Sequence, residues 1–170
     1  MRHDPSPAHL DAVRSALLPL RLPGQIKLHW TDESKKRKEE IIAAVSRLDA
    51  IQVIITHRSE KSRKTERYRR KCLEQLYFEL SDMQINEVTL ESRHPTQNRK
   101  DIEHIVALQA GGQSTNIHLH HIRRGDEPLL WIPDIILGTI NSLHSGTSRD
   151  WEKISDKVIL NRSTPESLTD

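Results

Sequence analysis

Several features that define common protein classes are scarce or missing in this sequence. Cys72 is the single cysteine, so no disulfide can form within the chain. Every apolar run is much shorter than the roughly 20 residues of a membrane-spanning helix. The first five residues lack the apolar segment of a secretory signal. We therefore expect a protein of the reducing cytoplasm with no membrane partner.

The motifs of several enzyme classes are also absent. The sequence contains no P-loop, no GxGxxG, no GxSxG and no HExxH pattern, and Gly146-Thr147-Ser148 lacks the rest of a Walker motif. Nucleotide hydrolysis and acyl transfer are therefore disfavoured. The chain has 10 histidines. Because no cysteine pattern accompanies His118, His120 and His121, we interpret them as strand residues and not as zinc ligands.

Charge is low overall but unevenly distributed. The formal net charge is +2, yet residues 58–71 contain eight basic side chains against two acidic ones. Such a run attracts phosphates without reading bases, and an aromatic content of 4% leaves little for base stacking. A solvated face, whether a disordered segment or the charged start of a helix, explains the run equally well. The predicted nucleic-acid contacts are Lys61, Arg63, Lys64, Arg67 and Arg93.

The apolar pattern predicts one α/β domain over residues 1–170, with a core at roughly 8–145 and flexible ends at 1–7 and 161–170. Helical periodicity is found at 8–18, 35–48, 65–83, 101–110 and 133–143. Strand patterns are found at 26–30, 51–56, 85–90 and 117–122, and we expect an apolar run at 158–160 to dock as a last element. This alternation predicts a largely parallel sheet with helices on both faces.

Two carboxylates stand where such folds place their chemistry. Glu91 follows the strand at 85–90 and is either a metal ligand or an exposed acid paired with Arg93 or Lys100. Asp134 lies in the first turn of a helix, where the dipole alone accounts for an acid, but its apolar surroundings would desolvate it. We predict that Glu91 and Asp134 face one another across a cleft and favour a divalent ion.

Three further residues are candidates for the same site. Asn98 and Asp101 are interpreted as helix caps, and either one can also supply a third oxygen to a Mg²⁺-type site. His29 precedes Trp30 at the end of a predicted strand, where it is either an ordinary strand residue or a side chain that reaches the same cleft.

The order of these motifs resembles the family catalogued as domain of unknown function 3800, over roughly residues 10–145. The matching residues are Leu28-His29-Trp30, Asp32-Glu33-Ser34 and Arg37, Leu90-Glu91-Ser92-Arg93, Asn98-Arg99-Lys100-Asp101, Pro128-Leu129-Leu130-Trp131-Ile132-Pro133-Asp134 and Gly138. The resemblance implies a ribonuclease-H-like fold and cleavage of nucleic-acid phosphodiesters with Mg²⁺ or Mn²⁺. Glu91 and Asp134 would hold the metal, assisted by Asp101 or Asn98, with His29 near the scissile group.

The chain departs from that family at its start. Members usually open with a strand ending in Asp-Glu-Ser, and no such strand precedes the helix at 8–18. We expect either a reading frame that continues upstream or a shortened member. Loss of that strand would remove a carboxylate and expose a sheet edge, which favours a homodimer. The alternative function is therefore a non-catalytic module that binds nucleic acid or protein.

Overall fold

The computed structural model describes residues 6–59, 65–112, 116–146 and 150–168. Its helices are α1 (Pro7–Leu17), α2 (Lys35–Val45), α3 (Thr65–Asp82), α4 (Pro95–Ala110) and α5 (Trp131–His144). Its strands are β1 (Gln52–Thr56), β2 (Glu87–Glu91), β3 (His118–Ile122) and β4 (Val158–Ser163). The predicted α/β class is confirmed. Within the described ranges, no helix combines the length and apolar character needed to cross a membrane.

The chain divides into two compact units. The first unit contains Met1–Val53 and Arg123–Ile159, and the second contains Ile54–Ile122 and Leu160–Asp170. Each unit is therefore assembled from segments that are distant in sequence. The interpretation of the chain as a single domain stays a prediction.

The strands form pairs and not one large sheet. In the part of the chain that the structure describes, β1 pairs with β4 and β2 pairs with β3, each as a two-stranded sheet. β2 and β3 are parallel, with Glu87 opposite His118 and Glu91 opposite Ile122. Parallel pairing is thus confirmed for this pair. Both strands have exposed positions, whereas the strands of a large parallel sheet are buried on both faces.

The strand predicted at 26–30 was wrong. Leu28 and Trp30 are buried, but Ile26 is 79% exposed, and the chain turns into a short 3₁₀ segment at Trp30–Asp32. The alternation in sequence comes from two loop side chains that enter the core. It does not come from a pleated strand with a hydrogen-bonded neighbour.

The first unit is helical, with buried side chains on α1, α2 and α5. Trp30 packs against α5 so closely that a Cβ atom on Gly138 would lie 2.0 Å from Cδ1 of the indole. Glycine at this position is therefore required by a close approach between a loop and a helix. This contact gives the loop before α2 a fixed place on α5.

The second unit packs α3 and α4 with the β2–β3 pair. Tyr77, Ile105 and Ile117 form its buried centre, and partly buried hydrophobic residues surround them. Residues 161–168 were expected to be flexible, but 161–163 extend β4 and Thr164 is buried. The backbone N–H of Thr164 donates to the carbonyl of Thr56 at 2.8 Å. The polar composition of 161–168 therefore did not predict this order, because the segment is held by backbone hydrogen bonds.

Helix α4 begins six residues before the predicted start. Pro95 occupies its first turn, and a ring nitrogen of the His94 cap accepts the N–H of Thr96 at 3.3 Å. The side chain of Gln97 accepts the N–H of His94 in return. Asn98 and Asp101 therefore lie inside the helix, and their interpretation as caps was wrong.

Candidate functional site

Glu91 and Asp134 belong to different units. Glu91 is the last residue of β2 in the second unit, at the carboxyl end of the parallel pair, and it is half-buried. Asp134 lies in the first turn of α5 in the first unit. The predicted pairing of the two acids across a cleft therefore stays a prediction.

Both carboxylate oxygens of Asp134 have partners within its own unit. Its Oδ2 accepts the backbone N–H of Trp30 at 3.0 Å, and its Oδ1 lies 3.3 Å from a guanidinium nitrogen of Arg124. Gly138, which admits the Trp30 ring, follows one helical turn later. These contacts fasten the 28–32 loop to α5. His29 contacts this loop locally, with its Nδ1 2.7 Å from Oγ1 of Thr31.

Asp101 is the centre of an ion-pair cluster in the second unit. The carboxylate, 3% exposed, accepts two hydrogen bonds from Arg69 at 3.3 and 3.0 Å and one from Arg93 at 3.0 Å. Nε2 of His121 lies 3.4 Å from the same carboxylate. Burial raises the pKa of Asp101, but Arg69 and Arg93 outweigh it and hold the pKa below its ordinary value.

Arg93 connects this cluster to its surroundings. Its guanidinium also donates to Oε1 of Glu66 at 2.6 Å, so the side chain lies between two carboxylates. Its backbone N–H donates to Oδ1 of Asn98 at 2.8 Å, and Nδ2 of Asn98 donates to Oγ of Ser92 at 2.9 Å. Asn98 therefore fixes the turn between β2 and α4.

These contacts do not suit a divalent metal. Mg²⁺ is bound by carboxylate and other oxygens that have no competing cation. Asp101 and Asp134 each already pair with arginine. Among residues 6–59, 65–112, 116–146 and 150–168, no group of three or more potential histidine, cysteine or acidic ligands lies close enough to hold an ion. Mg²⁺ or Mn²⁺ binding stays a prediction without a described ligand set.

A basic pocket in the second unit gathers several of the charges noted in the sequence. It has a volume of about 210 Å³, and the residues that line it include His57, Arg58, Arg67, Tyr68, Lys71 and Glu166. Arg67 and Lys71 are four residues apart on α3 and therefore share one face of the helix. Arg67 was predicted as a phosphate contact. Arg58 and Lys71 were not, although the four-residue spacing of Lys71 from Arg67 was a usable signal for Lys71.

Of the five predicted nucleic-acid contacts, the structure describes Arg67 and Arg93, and these two lie in different clusters. Lys61, Arg63 and Lys64 lie outside the described residues, Arg67 lines the basic pocket, and Arg93 belongs to the Asp101 cluster. Arg69, two residues after Arg67, points to the Asp101 cluster because alternate residues lie on different faces of a helix. On α3, Arg67 and Lys71 thus line the basic pocket, and Arg69 joins the Asp101 cluster.

One wall of the basic pocket is aromatic. The rings of His57 and Tyr68 stack with centroids 4.5 Å apart and planes inclined by 23°. A ring nitrogen of His57 lies 2.5 Å from Oγ1 of Thr164. Burial lowers the pKa of His57, and the nearby Lys71 and Arg67 lower it further. The fixed positive charges of the pocket are those of its arginines and its lysine.

Comparison with known proteins gives no assignment: no family model, curated protein or solved structure matches the chain. The resemblance to domain of unknown function 3800 therefore gains no support and stays a prediction.

Proposed function

We propose that this chain is a non-catalytic module that binds nucleic acid through its phosphates, with the basic pocket as the principal contact. The observation that carries the proposal is the convergence of Arg58, Arg67 and Lys71 on one pocket. Guanidinium and ammonium groups are the usual partners of phosphate oxygens, and they bind the backbone of any sequence.

Two features of the chain favour binding over turnover. Asp101 and Asp134, two of the three predicted metal ligands, pair with arginines. The basic pocket contains one stacked pair, His57 with Tyr68, and not the series of aromatic residues on which successive bases stack. We therefore expect affinity without strong sequence preference.

A salt titration tests this function. Binding of a fluorescent oligonucleotide should be detectable by anisotropy below about 0.1 mM protein and should weaken steeply as salt increases. Arg67→Gln should weaken binding and reduce the slope of log K against log salt by about one. The matched control is Arg99→Gln, which removes the same charge from an exposed site on α4.

Two results would contradict the proposal. One is the absence of binding by the folded wild-type protein at low salt. The other is an equal effect of Arg67→Gln and Arg99→Gln, which would mean that the pocket contributes no more than any surface charge.

We retain the ribonuclease-H-like, metal-dependent nuclease as a second proposal, favoured by the position of Glu91 at the carboxyl end of β2. Mn²⁺ titration calorimetry on the wild type and on the Glu91→Gln/Asp134→Asn double variant tests it. Saturable binding that the variant loses would support the nuclease. No binding by the folded wild type would contradict the nuclease and leave the binding module as the remaining proposal.

Sedimentation analysis tests the predicted homodimer.

A further inference from the structure

The basic pocket already contains an anion from the protein itself. The carboxylate of Glu166 forms an ion pair with Lys71, and both residues line the pocket. One of the cations of the pocket is therefore already paired with a carboxylate. The exposed fractions of the two side chains differ, at 67% for Glu166 and 16% for Lys71. Glu166 can leave into water, whereas Lys71 stays in the wall of the pocket.

The backbone of the 164–168 segment is fixed independently of this ion pair. The N–H of Arg58 donates to Oγ of Ser167 at 3.0 Å. The N–H of Leu168 donates to the carbonyl of Arg58 at 2.9 Å. Thr164 is buried and is joined to Thr56 by its backbone. Rotation of the Glu166 side chain alone is therefore enough to release Lys71, without displacement of the segment.

The size of the basic pocket limits what can replace the carboxylate. A volume of about 210 Å³ is below the roughly 300–1,000 Å³ of pockets for drug-sized ligands. An internal phosphate carries nucleotides on both sides, whereas a terminal phosphate carries them on one side. A terminal phosphate also has a charge of about −1.5 to −2 at pH 7 and three acceptor oxygens, so it outmatches a single carboxylate.

We propose that the basic pocket binds the terminal phosphate of a nucleic-acid strand and that Glu166 is a built-in competitor for that phosphate. This inference rests on the proposed function and names the part of the strand that the pocket takes. Lys71 exchanges the Glu166 carboxylate for phosphate oxygens, Arg58 and Arg67 line the same pocket, and the stacked His57 and Tyr68 form its aromatic wall.

The experiment compares two oligonucleotides of one sequence, with a 5′-phosphate or a 5′-hydroxyl and a fluorophore at the 3′ end, at pH 7.5. The wild type should bind the phosphorylated strand at least about tenfold more tightly, as expected for hydrogen bonds between charged groups. Glu166→Gln should tighten binding of the phosphorylated strand a further two- to fivefold, roughly the contribution of an exposed ion pair. The hydroxyl strand should respond to Glu166→Gln only as it responds to the control.

The matched control is Glu103→Gln, which removes one negative charge from an exposed site on α4 in the same unit. It should change binding of both strands equally. Addition of the phosphorylated strand should also shift the ring proton resonances of His57, which reports occupancy of the pocket directly.

The outcomes separate this inference from the function beneath it. Salt-sensitive binding with equal affinity for the 5′-phosphate and 5′-hydroxyl strands would overturn the terminal-phosphate site and leave the proposed function intact. Preference for the phosphate with equal effects of Glu166→Gln and Glu103→Gln would overturn the role of Glu166. No binding of either strand by any variant would overturn the proposed function itself.

Discussion

Replacement of Asp101 by asparagine should destabilise the second unit by about 2 kcal/mol. Asparagine preserves the shape of the side chain but removes the charge that Arg69 and Arg93 share. Loss of one partner from a wholly buried ion pair costs about 3–5 kcal/mol, and a hydrogen bond to a charged group contributes about 1.5–3 kcal/mol. Arg69 is 33% and Arg93 22% exposed, so water and Glu66 will compensate part of the loss. The expected cost of about 2 kcal/mol therefore lies below the value for a wholly buried pair and within the range for a hydrogen bond to a charged group.

Urea denaturation measures this loss. With a slope of about 2 kcal/mol per M, the unfolding midpoint should fall by about 1 M. All three tryptophans belong to the first unit, whereas Tyr68 and Tyr77 belong to the second. Far-UV circular dichroism and tyrosine fluorescence should therefore be recorded beside tryptophan fluorescence. Hydrogen exchange of the α4 amides supplies a local measure of the same free energy.

Glu103→Gln is the matched control, because it neutralises an exposed carboxylate on the same helix. Its effect should stay below about 0.5 kcal/mol. If Asp101→Asn shifted the midpoint no more than Glu103→Gln does, the buried carboxylate would not be the anchor of this cluster. Its contacts with Arg69 and Arg93 would then contribute nothing measurable to stability.

Three further predictions concern single side chains. Gly138→Ala should cost about 1–3 kcal/mol of unfolding free energy and shift the tryptophan emission, because its Cβ atom would collide with Trp30. Asp134→Ala should cost about 1–3 kcal/mol in the same urea assay, because the N–H of Trp30 and the charge of Arg124 lose their partner. An NMR titration should place the pKa of His57 below 6.5, because burial and neighbouring cations lower it. The unfolded chain then binds more protons than the folded chain. As the pH decreases, stability should therefore fall between about pH 6.5 and the lowered pKa, and it should level off below that pKa.

Each of these predictions has an outcome that would contradict it. A Cβ atom on Gly125 would lie 2.9 Å from Cγ2 of Ile26, an exposed side chain that can move, so Gly125→Ala is the mild control. An equal cost for both alanine variants would disprove the packing argument for Trp30. A wild-type midpoint for Asp134→Ala would show that its contacts are not stabilising. Titration of His57 at or above 6.5 would contradict the predicted effect of its surroundings on this pKa.

Elements with strong local signals were predicted closely. The stripe formed by Cys72, Leu73, Leu76, Tyr77 and Leu80 repeats at helical spacing, and α3 was predicted within one residue at its end. The start of α4 was missed because histidine is not a preferred cap and the first turns are polar. The strand at 26–30 was overpredicted because a loop that buries alternate side chains produces the same pattern.

The candidate sites depended on contacts that no local pattern encodes. Arg69 and Asp101 are separated by 32 residues, and their ion pair requires the packing of α3 on α4. The sequence marked Asp101 as polar and near a motif, but it did not show that two arginines would occupy it. Glu166 lies in a stretch that was expected to be flexible, so its place in the basic pocket was not predictable from charge alone.

The sequence by itself determined the α/β class, most helix bounds and the concentration of positive charge at 58–71, because periodicity and composition are local properties. The tertiary structure decided the pairing of β1 with β4 and the placement of Arg67 and Lys71 in the basic pocket and of Arg69 in the Asp101 cluster. It also decided which carboxylates form ion pairs with arginine or lysine. Coulombic and hydrogen-bond energies depend on distance and burial, and these are fixed only when segments far apart in the chain pack together.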